Sequence, residues 1–339
     1  MKKLFFFLFV CLLSSFVFAQ NQDSARFYYN KAVQENISRL YSVAAKDFDK
    51  AIEFDSKFTD AYIASGKNNL SMRRITEAQE NFNKAYELDP KNNDVISQLM
   101  TLSFNNHQFQ KAIDLAQKCN CDNVSRILGM SYYSLEDYGK AAKYLQDALS
   151  KDDKDAESAY TLGRTYLELE EEKNAIPQFE KAVELEPTRS QWQYELGLLY
   201  YNQNDFKNSL KYFDLAASNG YNKTNDFYEN YGFAQIYSGD AENGIKTLNI
   251  ILERKPNNKE LLNNIAHAFY DTKKYNEALD YFTKILNLNP QDATTLFMAG
   301  LTFQKLGQKE KGQKICDKAI SMDPSLSKYR QKNEMPQGL

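Results

Sequence analysis

Apolar residues recur along most of the chain at the three- and four-residue spacing of amphipathic helices. Segment 158–187 shows the pattern most completely, as two such helices separated by polar residues. The first apolar face consists of Leu162, Gly163 and Tyr166, and the second of Ala175, Phe179 and Ala182. Pro187 ends the segment, since proline is a poor continuation of a helix. The pattern predicts a helical hairpin.

Gly163 and Ala175 are small at the positions where two packed helices would approach closely. Glycine within a helix costs about 1 kcal/mol relative to alanine, and close packing would account for it. Phe179 is expected to fill the space beyond. This order of Leu-Gly, Tyr, Ala, Phe, Ala and Pro resembles the tetratricopeptide repeat, except that Ala159 stands at the place of the initial Trp.

The same template fits the sequence nine times, from about residue 25 to 326. Its small first-helix position holds Ala32, Gly66, Met100, Gly129, Gly163, Gly197, Gly232, Ala266 and Gly300. Its large second-helix position holds Phe48, Phe82, Ala116, Leu145, Phe179, Phe213, Leu248, Phe282 and Cys316. Nine matches at nearly constant spacing are a strong signal. The resemblance implies an all-α, right-handed α-solenoid superhelix of about nine helix-turn-helix repeats.

A single helical hairpin is too small to bury its own apolar face and gains stability chiefly from its neighbours in the stack. We therefore expect no shared globular core. In the family that the chain resembles, first helices line a concave groove and second helices form the convex back. Function is expected in that groove.

The third repeat is shorter than the others, because the next one begins near Asp122. Losing about five residues should shorten a helix by more than one turn, with Asn120 and Asp122 available to stop one helix and cap the next. Two interpretations remain open: a bend or hinge in the stack, or a tolerated deletion in one loop.

Residues 1–19 have the pattern of a secretory signal peptide. Lys2 and Lys3 precede an apolar stretch over 4–18, and Ala19 ends an approximate small-x-small cleavage pattern. About fifteen apolar residues fall short of the roughly 20 that span a bilayer, which disfavours the alternative of an uncleaved anchor. Val10 before Cys11 departs from a lipoprotein signal. We expect an exported protein that is periplasmic, secreted or envelope-associated.

The predicted organisation is therefore a signal peptide at 1–19, a repeat solenoid at 20–326, and a capping helix and tail at 327–339. The chain has 339 residues and a formal net charge of -3, which becomes -5 without Lys2 and Lys3. This mildly acidic body has no general attraction for phosphate backbones. No run of Lys and Arg indicates a nucleic-acid or membrane arm.

The mature chain would keep Cys119, Cys121 and Cys316 in a compartment where disulfides form. Cys119 and Cys316 occupy apolar helix faces, where free cysteine packs as a small hydrophobe. The pair Cys119 and Cys121 leaves a redox or metal site open, although no second pair or nearby histidine completes a zinc set. We expect no metal and no cofactor.

Catalytic motifs are not evident in the sequence. The two histidines, His107 and His267, lie in different repeats, without an HExxH motif or a catalytic cysteine motif beside either. The acidic run at Glu170, Glu171 and Glu172 is typical of a solvated turn. The protein is expected not to be an enzyme.

The resemblance also implies which residues face the groove: those three before, one after and four after the small position of each first helix. The candidates for a peptide-binding groove are Arg126, Tyr133, Tyr160, Arg164, Tyr194, Tyr201, Phe233, His267 and Tyr270. Aromatic rings and arginines suit a peptide, because rings bury large areas and arginine pairs with carboxylates or stacks on rings. The alternative is that these rings pack between adjacent helices.

Relatives that capture the C-terminal carboxylate of chaperones carry Lys, Asn and Arg at set groove positions. Those positions here hold Tyr29, Val33, Ala64, Asp94 and Gln98. The absence of Lys, Asn and Arg from these positions argues against a cytosolic chaperone adaptor.

We expect a non-catalytic scaffold of the bacterial cell envelope that binds a protein or an extended peptide in its groove. The alternative is a structural component of an envelope or secretion assembly that uses the convex face or the array ends.

Overall fold

The computed structural model describes residues 21–330 of the chain. Within that range the regular structure is helical and includes no strand. The signal peptide predicted at 1–19 lies outside the described residues, as does most of the tail predicted at 327–339. The all-α repeat fold expected from the periodicity is confirmed.

The helices follow one another in pairs, each made of a first and a second helix. The first helices are α1 (residues 21–37), α3 (Thr59–Ser71), α5 (Asn93–Asn105), α7 (Val124–Ser134), α9 (Ala156–Glu168), α11 (Ser190–Asn202), α13 (Asn225–Tyr237), α15 (Lys259–Asp271) and α17 (Ala293–Lys305). The second helices are α2 (Tyr41–Phe54), α4 (Ile75–Leu88), α6 (Phe109–Ala116), α8 (Tyr138–Lys151), α10 (Glu172–Leu185), α12 (Phe206–Ser218), α14 (Ala241–Arg254), α16 (Tyr275–Leu288) and α18 (Lys309–Met322). A 3-10 turn (Pro324–Leu326) and α19 (Ser327–Arg330) follow the last pair.

Each turn within a pair contains one residue in the left-handed backbone region. These residues are Arg39, Arg73, His107, Glu136, Glu170, Asn204, Gly239, Lys273 and Gly307. They are 34 or 35 positions apart, except for 29 between His107 and Glu136. Two are glycines, and the others hold φ between 57° and 61° although this region is costly for L-residues.

The same pair of backbone hydrogen bonds closes each of these turns. In the second repeat, Arg73 N–H donates to the Leu70 carbonyl at 2.9 Å and Arg74 N–H donates to the Asn69 carbonyl at 2.9 Å. This is the Schellman arrangement, which satisfies the last carbonyls of a helix. Because the bonds recur in every pair, the chain reverses in the same way whether or not glycine is present.

The small and large positions of the template meet inside several pairs. A Cβ atom added to Gly197 would lie 2.6 Å from Cδ1 of Phe213, and one added to Gly129 would lie 2.6 Å from Cγ of Leu145. The side chains of Phe48, Phe82, Phe179, Phe213 and Phe282 are at most 1% exposed. The predicted close approach of the two helices is therefore present in these pairs.

Two compact units divide the chain, at residues 1–178 and 179–339. Within each unit, apolar clusters join helices that follow one another in sequence rather than a single centre. One cluster of the first unit extends from Ala78 to Leu128, and one of the second extends from Phe233 to Leu326. Leu326 is buried and Tyr329 packs against the same cluster, so the residues after α18 cover the end of the last repeat.

The third repeat is shortened as expected, since α6 has 8 residues and the other second helices have 13 or 14. The expected roles of Asn120 and Asp122 are wrong. Helix α6 already ends at Ala116, and the N-cap position of α7 is Asn123, which makes no side-chain capping bond. Asp122 lies one residue too early to cap. The hinge stays a prediction.

The segment after α6 is instead held against the start of α5. Asn120 N–H donates to Oδ1 of Asn93 at 3.1 Å, and both cysteine sulfurs lie 3.5 Å from the Asn93 carbonyl oxygen. Cys119 and Cys121 are joined as a disulfide, while Cys316 is a buried free thiol. Cys316 is packed inside as its helix face suggested, but the helix face expected for Cys119 is wrong, because α6 ends three residues earlier and Cys119 is half-buried against the apolar cluster as part of the disulfide.

Candidate binding cleft

Arg126 joins two repeats of the first unit by an ion pair. Its Nε lies 2.9 Å from Oδ2 of Asp155, whose Oδ1 accepts a hydrogen bond from Ser158 N–H at the start of α9. The Asp155 side chain is 13% exposed, so the pair is partly shielded from water. The positive charge of Arg126 therefore already has a partner within the chain.

Tyr133, Tyr160 and Arg164 lie around Tyr138 in the first unit. The Tyr133 and Tyr138 rings are 5.8 Å apart, and Arg164 Nη1 donates to the Tyr160 hydroxyl at 3.3 Å. Burial raises the pKa of Tyr138, Glu168 adds to the effect, and the positive charge of Arg164 opposes it. These side chains form a half-buried aromatic and polar surface of α7, α8 and α9.

Tyr194 belongs to the interior of the second unit. It is 7% exposed, and its ring stacks on Tyr221 with centroids 4.3 Å apart. Its hydroxyl accepts a hydrogen bond of 2.9 Å from Nδ2 of Asn230. The prediction that Tyr194 faces the groove is therefore wrong, and its ring packs between adjacent helices instead. The same is true of Phe297, a further residue at a groove position, which is fully buried.

Tyr201, Phe233 and His267 come together in one open cleft of the second unit. The cleft has a volume of about 460 Å³. It lies along the first helices of three successive repeats, α11, α13 and α15, which is the surface that the groove hypothesis selects. Its other lining residues are Asp226, Glu229, Asn230, Tyr237 and Asn264.

Aromatic side chains form one wall of this cleft. The rings of Tyr201 and Tyr237 are 6.5 Å apart at 67°, and Phe206 stacks on Tyr237 at 5.1 Å while meeting the edge of Tyr201 at 5.6 Å. Burial raises the pKa of Tyr201 to about 12, with Tyr237 and Glu229 adding to the shift. Packing on Phe206 holds both tyrosine rings in place before any ligand arrives.

Carboxylates and amides form the polar wall. Asn264 Nδ2 donates to Oε1 of Glu229 at 3.4 Å, and within residues 21–330 neither Asp226 nor Glu229 forms an ion pair. Helices α11, α13 and α15 carry five carboxylates, at Glu195, Asp226, Glu229, Glu260 and Asp271. Their one Lys or Arg is Lys259, whose Nζ lies 2.6 Å from Asp292. Of these carboxylates, Asp226 and Glu229 line the cleft, and its lining includes no Lys or Arg, so the cleft has excess negative charge.

His267 contributes a neutral ring to the cleft. Burial lowers its pKa below the usual 6.5, which keeps the imidazole uncharged near pH 7. Its ring meets Phe282 edge to face, with centroids 5.7 Å apart. His267 therefore does not offset the nearby carboxylates at neutral pH.

Tyr270 lines a different and smaller pocket of about 320 Å³ in the second unit. Lys305 and Lys309 line the same pocket, so its charge is opposite to that of the larger cleft. Burial raises the pKa of Tyr270 to about 12, with Tyr275 and Asp271 adding to the shift. The predicted site residues of this unit thus divide among a cleft, a basic pocket and the interior.

Asp226, Asn230, Tyr237 and Asn264 were missed by the groove rule taken from the sequence. The rule selects positions three before, one after and four after the small residue, whereas Asn230 and Tyr237 lie two before and five after Gly232. The signal was nevertheless present, because Asp226, Asn230, Phe233 and Tyr237 have the four-, three- and four-residue spacing of one helix face.

Metal-ion clusters and membrane-spanning helices were sought in the part of the chain that is described. Across residues 21–330 there is no group of three or more His, Cys, Asp or Glu side chains arranged to hold a metal ion. In that same range, every helix is too short or too polar to cross a bilayer.

Several solved structures are similar to this chain. YrrB, described as a TPR protein with an unusual peptide-binding site, is 23% identical over 52% of this chain and 93% of its own, with a TM-score of 0.45. The C-terminal part of a TPR repeat-containing protein from Cytophaga hutchinsonii is 18% identical over 70% and 98%, with a TM-score of 0.47. The P58(IPK) TPR domain is 15% identical over 91% and 95%, with a TM-score of 0.31. No curated protein sequence matches the chain.

Family models described as tetratricopeptide repeat match most of the predicted repeats. One matches residues 260–292, a second matches 128–189 and 160–222, and a third matches 59–92 and 293–326. Together they span more than half of the chain, in register with the helix pairs and the buried template positions described above. The chain therefore belongs to the tetratricopeptide repeat family.

Proposed function

We propose that this protein is a non-catalytic scaffold of the bacterial cell envelope that binds a protein or an extended peptide along the first helices of its second unit. Tetratricopeptide repeats generally serve as protein-interaction scaffolds, which supports the general role. The observation that carries the proposed location is the cleft along α11, α13 and α15. It combines preset aromatic rings with unpaired carboxylates, a composition suited to recognition rather than to packing.

The envelope location rests on the leader pattern of residues 1–19. It is tested by fractionating cells that express the full chain and a variant lacking residues 2–19. The full chain should appear in the periplasmic or envelope fraction at the size of the processed protein. Recovery of both forms in the cytoplasm, without processing, would reject this part of the proposal.

The binding role is tested by affinity capture from a cell-envelope extract with the purified repeat region. Tyr201→Ala combined with Tyr237→Ala should abolish capture of a specific partner, because both rings lose their contact surface. Tyr144→Ala combined with Tyr212→Ala is the matched control on second helices, and it should retain capture. Equal capture by both double variants would place binding away from the cleft.

A structural role at an array end is the second candidate, and exposed apolar residues of the first repeat favour it. Phe27 is 64% exposed, Ile37 70%, Leu40 53% and Val43 46%. An apolar surface of this kind at the end of a stack suits a permanent neighbour. Ile37→Ser with Leu40→Ser should then disrupt an envelope assembly that the Tyr201 and Tyr237 variants leave intact.

A further inference from the structure

We propose that the cleft on α11, α13 and α15 recognises a lysine or arginine side chain within an extended segment of its protein partner. This inference rests on the proposed function and adds a charge preference to it. The occupant is defined by three features of the cleft: carboxylates without an ion-pair partner, a lining without Lys or Arg, and half-buried tyrosine rings that no cation of the described residues covers.

The charge of the cleft is not compensated by any residue that the structure describes. Asp226 and Glu229 lie in its lining, and in residues 21–330 no Lys or Arg pairs with either. The lysine on the same three helices is committed to Asp292, and His267 is neutral. A cation from a partner would therefore meet two carboxylates without displacing a resident one.

The rings of the cleft differ from several tyrosine rings elsewhere in the repeats. Three tyrosine rings on second helices or facing them are covered by the chain's own lysines: Lys140 lies 4.9 Å from the ring of Tyr132, Lys211 lies 4.8 Å from Tyr212, and Lys284 lies 4.1 Å from Tyr281.

Within the described range, by contrast, no cation of the chain lies over Tyr201, Phe233 or Tyr237. Cations favour ring faces because of the negative potential there, and the effect increases when water is excluded. The cleft thus offers to a partner the kind of ring surface that Tyr132, Tyr212 and Tyr281 present to lysines of the chain.

The dimensions of the cleft leave room for a side chain. Its volume of about 460 Å³ lies within the roughly 300–1,000 Å³ that is usual for ligand pockets. Phe206 fixes the rings of Tyr201 and Tyr237 beforehand, which reduces the entropy lost when a ligand binds. The side-chain amides of Asn230 and Asn264 line the same cleft, where they can bond to a peptide backbone.

The test uses a fluorescein-labelled seven-residue peptide with arginine at its third and fifth positions, and two otherwise identical peptides with glutamine or glutamate there. Fluorescence anisotropy with the repeat region should show the arginine peptide binding about tenfold more tightly than the glutamine peptide, and the glutamate peptide most weakly. Raising the salt concentration should narrow the difference, because exposed charges are screened.

Asp226→Asn combined with Glu229→Gln should lower the affinity for the arginine peptide about tenfold and leave the glutamine peptide unchanged. Glu253→Gln combined with Asp280→Asn is the control, since it removes the same charge from exposed positions of α14 and α16. The control should bind the arginine peptide as the unmodified protein does. Circular dichroism verifies that both variants fold.

Equal affinity for all three peptides would overturn the charge preference, as would equal losses in the test and control variants. Failure of the arginine peptide to bind at millimolar concentration would also overturn it. None of these results would reject the proposed function. A partner without a charged side chain in the cleft would still be captured from the envelope extract, and its capture would still depend on Tyr201 and Tyr237.

Discussion

The two units use the charged residues of their first helices in different ways. In the first unit, three cations of these helices are paired within the chain: Lys31 with Asp47 at 2.6 Å, Lys67 with Asp94 at 2.7 Å, and Arg126 with Asp155 at 2.9 Å. In the second unit, Lys259 is paired with Asp292 in the same way, whereas Asp226 and Glu229 of the cleft have no such partner among the described residues. The comparison shows that one repeat template allows an inner surface that supports the stack or one that is open to a ligand.

The interiors of the two units, by contrast, follow the same pattern. Phe82 in the first unit and Phe213 in the second are both fully buried at the same template position. The units therefore differ in the residues that face outward, while sharing the contacts that hold each pair together. Substitutions in the buried interior and substitutions of the outward-facing charged residues can therefore be tested separately.

The largest expected effect tests the shared interior. Phe82→Ala and Phe213→Ala should each lower the free energy of unfolding by about 3–5 kcal/mol, since each leaves a cavity at a fully buried site. Chemical denaturation followed by circular dichroism measures the loss. Phe27→Ala, at a 64% exposed site, should change stability by about 0.5 kcal/mol or less. A large loss in one unit alone would show that the interiors are not equivalent.

The second expected effect concerns the close approach of paired helices. Gly129→Ala and Gly197→Ala should each cost about 1–3 kcal/mol, because the new Cβ would lie 2.6 Å from a side-chain carbon of the second helix. Gly139→Ala is the control, since nothing lies within 4 Å of a Cβ there, and it should stabilise α8 by about 0.5–1 kcal/mol. Thermal unfolding shows whether each substitution lowers or raises the stability of the protein. Stabilisation by all three changes would contradict the packing described.

The third prediction tests the difference between the units. Arg126→Gln should cost about 1 kcal/mol, because it leaves the partly buried carboxylate of Asp155 without its charged partner. Glu229→Gln should change stability by about 0.5 kcal/mol or less, because no ion pair is lost and an acceptor oxygen remains. Denaturation at low and high salt measures both. An equal loss of stability in the two variants would contradict the difference between the paired Arg126 and Glu229, which has no ion pair among the described residues.

The smallest expected effect compares the two histidines. The pKa of His267 is lowered in the folded protein, so the unfolded chain binds a proton first as the pH falls below about 6.5. Its contribution to stability is therefore complete above that pH and declines below it, by at most about 1.4 kcal/mol per pH unit.

His267→Asn should make the fall in stability between pH 7.5 and 5.5 shallower. His107 is exposed in a left-handed turn, where asparagine is well tolerated, and His107→Asn is the matched control. Denaturation curves across this pH range give the slopes. The same slope in the His267 variant and the unmodified protein would contradict the assignment.

The helical pairs and their interior positions were accessible from the sequence because they depend on local periodicity. Spacings of three and four residues identified the buried positions, and repetition located every helix pair and the shortened third repeat. The turns were less accessible, since residues such as Glu136 and Lys273 adopt a left-handed conformation that favours glycine. Their neighbours impose it through the Schellman hydrogen bonds, and residue type does not reveal it.

The groove candidates were predicted less well, because facing a groove and being accessible there are different properties. Tyr194 and Tyr201 are both tyrosines of α11 selected by the same rule. Tyr221 and Phe227 enclose the first, whereas the second reaches the cleft beside Tyr237. The helical pattern alone does not distinguish them, because the enclosing residues come from the following repeat.

The sequence by itself determined the family, the helix pairs and the buried template, since these arise from contacts between residues close together in the chain. The tertiary structure decided which charges are paired and which remain open. It joined Arg126 to Asp155 across two repeats, and it gathered Tyr201, Glu229 and His267 from three. The physical reason is that such a cleft depends on how far each helix is shifted and rotated against the next, and no single repeat encodes that relation.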